Sequence, residues 1–141
     1  MIIHGAGVVV VNKNGEVLMQ HRDNNPEIFW PDYWGYPAGS VENNEDFELA
    51  AKRELIEETG YIPDMLYPLM EEDYLRTDGE TVRRHVFWTL YDNKQEIKCN
   101  EGQEMKFLKL EELKGKKINP GQERLCYLAV EQARNNGLIT I

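Results

Sequence analysis

Three glutamates near the middle of the chain, Glu54, Glu57 and Glu58, stand at i, i+3 and i+4. An α-helix turns by roughly 100° per residue, so this spacing puts all three carboxylates on one face. Crowded carboxylates repel one another. Such a face becomes favourable when it meets a cation, and a hard divalent ion with oxygen ligands is the natural match. The preceding turn, Pro37-Ala38-Gly39-Ser40, can bring a backbone carbonyl to the same place. Charge runs on helices are more often simply solvated, so the wider spacing has to decide.

The wider spacing is specific. Gly39, Glu45, Arg53, Glu54, Leu55, Glu57, Glu58, Gly60 and Tyr61 fill the pattern G-x5-E-x7-R-E-U-x-E-E-x-G-U, where U is a bulky aliphatic residue. This stretch resembles the Nudix box. Every fixed position matches, and the one departure is Tyr61 at an aliphatic position. The resemblance implies an α/β chain folded as an α/β/α sandwich, with a mixed sheet between helices. It also implies hydrolysis of a nucleoside diphosphate linked to another group, with Mg²⁺ or Mn²⁺ held by Glu54, Glu57 and Glu58. The residue before the box glycine, here Ala38, would add its backbone carbonyl. Glu101, in an EGQ stretch like that of MutT-type members, would add a fourth carboxylate, with Glu104 in reserve.

Helical spacing sets Glu45 roughly opposite Glu54, so Glu45 is not expected to be a ligand. Arg53 lies one turn before Glu57 and can pair with it, holding the carboxylates in place. Divalent metals neutralise phosphate charge and make water a better nucleophile. A carboxylate must then accept the water's proton. Glu54, Glu57 and Glu101 all remain open for that role.

The chain has 141 residues and a formal charge of −9. That length suits one domain, residues 1–141. The acidic balance argues against a nucleic-acid polymer as partner, since a polymer needs a basic face to displace counterions. It does not exclude a small phosphorylated substrate, because a bound metal inverts the local field. Cys99 and Cys126 lack metal spacing and read as two buried thiols in a reducing compartment. His4, His21 and His85 read as strand or loop residues. No apolar run reaches membrane length and no signal-peptide pattern opens the chain, so the cytoplasm is the expected location. Many members of the resembling family form homodimers, but no interface is legible in this sequence.

The elements that must position these groups follow in order. Gly5–Asn12 and Glu16–His21 read as strands joined at Asn14-Gly15, a hairpin signal. Residues 22–34 form a loop with Phe29, Trp30, Tyr33 and Trp34. Large aromatics either pin a loop to the body or stack on a nucleobase. Trp34–Pro37 reads as a short strand. The box helix is expected over about 44–58, capped by Asn43 or Asn44 and ended by Gly60. Tyr67–Thr77 and Thr81–Asp92 read as strands joined at Asp78-Gly79. Alternation sends Arg83 and Arg84 to opposite faces, so one of them can face a phosphate. A short strand near MKFLKL and a helical turn at 111–113 follow. Asn119-Pro120 reads as the cap and first residue of a helix to about Asn135. The tail 138–141 can add a short strand.

The expected substrate-binding residues are therefore Trp34, Tyr33, Arg22 and Arg84, serving a small nucleotide. The small size and the EGQ stretch favour a nucleoside triphosphate cut to a monophosphate and pyrophosphate. A nucleotide-sugar or other NDP-X pyrophosphatase is the nearest alternative. A silent nucleotide-binding sensor is the alternative of another class, although such domains usually lose a box carboxylate.

Overall fold

Val8, Val9, Val10 and Val11 are all completely buried. They lie on β1 (Ile2–Val11), a strand covered on both faces. A strand alternates its side chains, and here the two sets enter different cores. Val8 and Val10 pack with Ala50, Ala51 and Leu55, while Val9 and Val11 pack with Leu125, Cys126 and Ala129. This is why the sequence shows a continuous β-branched run and not an apolar/polar alternation.

A computed structural model describes residues 2–140. After β1 come β2 (Val17–His21), β3 (Trp34–Gly35), β4 (Ala38–Ser40), α1 (Phe47–Thr59), β5 (Tyr67–Leu75), β6 (Thr81–Leu90), β7 (Glu104–Leu108), α2 (Leu110–Leu113) and α3 (Gln122–Asn135). The sheet runs β3-β2-β1-β6-β5, with β4 on β1 and β7 on β2. β1 and β6 are parallel and the other named pairs are antiparallel. The sheet is therefore mixed, with α1 on one face and α3 on the other, as expected for the sandwich. Among the described residues no helix is long and apolar enough to cross a membrane.

Several boundaries differ from expectation. α1 begins at Phe47, three residues late, because Asp46 caps it: its carboxylate accepts from Leu49 N at 3.2 Å. Asn44 sits in the left-handed region at φ 62° and belongs to the preceding turn. Gly60 ends the helix at φ 75°, where its N–H reaches Ile56 O. That conformation costs a side-chain-bearing residue more than glycine.

α3 opens at Gln122, after Gly121, and not at Asn119-Pro120. The reason is tertiary. Ile118 forms a parallel bridge with Trp34, and Asn119 N donates to Trp34 O at 2.9 Å. The segment is therefore tied to the sheet before the helix starts. Residues 138–140 form no strand, although Ile139 is buried in the core; Ile141 lies outside the described residues. Cys126 is buried as expected, but Cys99 is exposed, and both are free thiols.

Candidate functional site

α1 and β4 meet where Gly39 faces Glu54. A Cβ placed on Gly39 would stand 2.2 Å from the Glu54 carboxyl carbon. Only glycine permits that approach, and the approach fixes the Glu54 carboxylate against the β4 backbone. This explains physically why the motif opens on glycine.

Arg53 is the hub of the carboxylate cluster. Its Nε donates to Glu45 at 2.7 Å, Nη1 to Glu54 at 3.0 Å, and Nη2 to Glu45 and to Ser40 O, each at 3.0 Å. The expected Glu57 partner is 3.4 Å away and secondary. Glu45 precedes the cap and lies outside the helix, so the helical angle assumed for it does not apply. Its carboxylate folds back onto Arg53, which holds it down at about 2. The same contact raises the Arg53 guanidinium above its ordinary value.

Glu58 is 2% exposed, and its Oε2 has no hydrogen-bond partner. Burial pushes its carboxyl up to about 10, reinforced by the nearby Glu101 charge and by Glu54. Glu54 is also raised, first by burial, against the opposing pull of its Glu58 and Arg53 bonds. Glu57 differs, being more than half exposed. Among the described residues no group of three acidic, histidine or cysteine side chains is close enough, as placed, to hold a metal ion. The chemistry nevertheless fits a divalent cation. A buried carboxylate oxygen without a partner, beside two further carboxylates, is a costly arrangement that a hard cation relieves.

The site opens into a cleft of about 320 Å³. Glu54, Glu101 and Ala38 line it together with Arg22, Arg76 and Arg84. Arg84 is 9% exposed and stacks on Tyr74, with Cζ 4.1 Å from the ring centroid. Its Nη2 donates to Pro120 O at 3.1 Å, but Nε and Nη1 have no partners. Arg83, on the opposite face, is spent on Asp73 at 2.7 Å. Arg22 also lines the cleft, with its Nε on Phe29 O at 3.0 Å.

Two of the expected substrate residues lie elsewhere. Trp34 is 7% exposed and stacks flat on His21 at 4.6 Å, in the core and off the cleft wall. Its place on β3, pointing into packed residues, excludes a stacking role in the cleft. Tyr33 also lies off the wall, meeting Trp30 edge-on at 5.5 Å. Phe29 and Trp30 line the cleft in their place. Glu104 pairs with Lys106 at 3.0 Å, outside the cleft wall.

The sequence reading passed over Tyr74, Arg76, Asn119 and Gln122, all of which line the cleft. Asn119 Oδ1 is buried without a partner, and Gln122 Oε1 accepts from Tyr36 N at 3.0 Å. A polar residue at a helix start reads as a cap, which hid Asn119. Nothing local marks the others.

The arrangement resembles known proteins throughout. The family model described as NUDIX domain matches residues 1–128. The RNA pyrophosphohydrolase of Roseobacter denitrificans is 45% identical over 74 residues, covering 51% of this chain and 43% of that protein. A putative 8-oxo-dGTP diphosphatase of Bacillus subtilis is 39% identical over 61 residues, covering 43% of this chain and 37% of that protein. The chain thus spans less than half the length of these curated relatives. The crystal structure of a MutT protein from Methanosarcina mazei superposes with a TM-score of 0.78 at 21% identity, covering 96% of this chain and 95% of that one, and carries the likeness in fold. With the motif, the sheet order and the match over residues 1–128 in agreement, the chain belongs to the NUDIX family.

Proposed function

We propose that residues 1–141 work as one hydrolase unit. It cuts a diphosphate linkage in a nucleotide with Mg²⁺, and its substrate is a nucleoside triphosphate, released as monophosphate and pyrophosphate. One observation carries this reading: the unpartnered, buried Glu58 oxygen stands beside Glu54 and Glu101, two carboxylates that line a cleft together with Arg22 and Arg84. The carboxylates suit a cation, and the arginines suit phosphate oxygens. The names of the relatives, a pyrophosphohydrolase of RNA and a diphosphatase of an oxidised nucleotide, support the same bond type.

Glu54, Glu58 and Glu101 would hold the divalent ion, with the Ala38 carbonyl at the rim and exposed Glu57 able to turn inward. When bound, such an ion neutralises phosphate charge and acidifies water. Glu54 or Glu101, the two carboxylates on the cleft wall, accepts the attacking water's proton. Arg53, itself held by Glu45, keeps Glu54 in position. Arg84 and Arg22 orient the phosphates, while Phe29 and Trp30 offer flat apolar surface to the base.

The test is a substrate panel with Mg²⁺ or Mn²⁺, reading products by chromatography. It comprises nucleoside triphosphates, oxidised triphosphates, nucleotide sugars, ADP-ribose and dinucleoside polyphosphates. Monophosphate plus pyrophosphate from a triphosphate is the expected result. Cleavage of sugar-linked compounds alone would move the protein to the NDP-X class. Binding without turnover would make it a sensor.

A further inference from the structure

Glu54 and Glu101 are placed by different means. Arg53 grips the Glu54 carboxylate directly. Among the described residues no hydrogen bond or ion pair holds the Glu101 carboxylate, so its backbone decides where it stands. That backbone is gripped on both sides. Before it, Lys98 N donates to Thr59 O at 2.9 Å and Asn100 N to Glu58 O at 3.0 Å, while the Asn100 side chain reaches Glu57 O at 3.2 Å. These carbonyls end α1 and have no partner within the helix. After it, Gln103 N donates to His21 O at 2.7 Å, and the Gln103 side chain to Arg22 O at 2.7 Å and Asp32 at 3.0 Å.

Glu101 itself is held by one buried side chain. Gln20 is 4% exposed, and its Nε2 donates to Glu101 O at 2.9 Å. The origin of that side chain is fixed, because β2 is paired at Gln20 on both edges, with Gly35 of β3 and Met105 of β7. Its path is fixed as well. Gly102 packs on it so closely that a Cβ there would stand 2.9 Å from Gln20 Cγ and 2.7 Å from His21 O. Cys99 Sγ adds only a longer contact to Glu101 O, at 3.4 Å. We propose that Gln20 is a positioning residue for Glu101: by pinning the Glu101 carbonyl it sets the carboxylate against Glu58, and with it the strength of divalent-ion binding. This rests on the hydrolase reading above, in which Glu101 is one of the ion's ligands. A buried amide left without its carbonyl is costly, but that cost alone would lower stability and leave ion binding untouched.

The experiment replaces Gln20 by Met, which keeps the bulk and cannot donate, alone and together with Glu101→Gln. Free Mn²⁺ is read by electron paramagnetic resonance, without substrate. Gln20→Met should raise the Mn²⁺ Kd about tenfold, as removal of a residue behind a metal ligand does. In Glu101→Gln protein the same substitution should add less than about twofold, because both act on one group. An unchanged Kd, or an equal loss in both backgrounds, would overturn the proposal. Gly102→Ala forces the same segment off Gln20 from the other side. It should reproduce the shift and its dependence on Glu101, and it serves if Gln20→Met does not fold. Amide hydrogen exchange tests the placement even if no ion binds. The Asn100 and Gln103 N–H groups should exchange faster in Gln20→Met than in the wild type, and unchanged exchange at both refutes the proposal. Failure of the hydrolase reading would instead show as Mn²⁺ that the wild type does not bind, with exchange responding as expected.

Discussion

Arg53 Nε lies 2.7 Å from Glu45 Oε2, bridging the turn before α1 to the helix face eight residues on. The two residues form a brace for Glu54, which Arg53 contacts through a different nitrogen. Glu45→Gln should keep the fold but loosen that brace. We expect kcat/KM to fall about 10–100-fold, the usual cost of losing a group that orients a metal ligand. A Mg²⁺ titration of activity should shift to higher concentration. An unchanged titration would mean that Arg53 needs no support from Glu45.

Gly39→Ala tests the close approach to Glu54. The added methyl must displace a carboxylate wedged against backbone. Activity should drop by about 10²-fold, as misplacing a catalytic group by an ångström costs. Far-UV circular dichroism should not change. Combined with Glu54→Gln, the glycine substitution should add little, because both disable the same group. Full additivity would place the damage elsewhere.

Glu58 links stability to pH in a definite direction. Its folded carboxyl lies at about 10, above the ordinary 4.5. Between those values the folded state holds a proton that the unfolded state has released. Stability therefore falls as pH rises through that window. Metal-free protein should melt at a lower temperature near pH 9 than near pH 6, and Glu58→Gln should flatten the difference. Adding Mg²⁺ at neutral pH should release protons, measurable by calorimetry in buffers of different ionisation enthalpy. A metal-free melting temperature independent of pH would contradict the burial of this carboxyl.

Arg84→Leu should separate binding from stability. It removes two buried donors that have no partners, so the melting temperature without ligand should hold or rise. KM for a triphosphate should climb about tenfold or more while kcat changes less, the pattern of lost ground-state binding. A large drop in kcat at unchanged KM would instead place Arg84 at the reacting phosphate.

The sequence made the carboxylate end of the site legible and left most of the cleft hidden. Glu54, Glu58 and Gly39 are local to one turn and one helix, so spacing alone relates them. Arg84 was half legible: alternation on β6 separated it from Arg83, and the cleft chose between them. Trp34 was misplaced because an aromatic in a loop gives no sign of which way it points. Stacking on His21, from a different strand, decided that. Asn119 and Arg76 come from segments far apart in the chain, and nothing short-range brings them together. The late start of α3 has the same cause, since the bridge from Ile118 to Trp34 overrides the local Asn-Pro signal.

The parallel pairing at the centre of the sheet sets a condition on how the chain acquires its shape. β1 pairs with β6 over its whole length, from Ile2 against Thr81 to Val11 against Leu90, partners 79 positions apart. The intervening loop must close before these contacts can form, and such long-range closure slows folding. On a ribosome, the apolar strand β1 must wait for most of the chain to be made. During synthesis its four consecutive valines are exposed, and this stretch is where aggregation would begin if elongation stalled before β6 emerged.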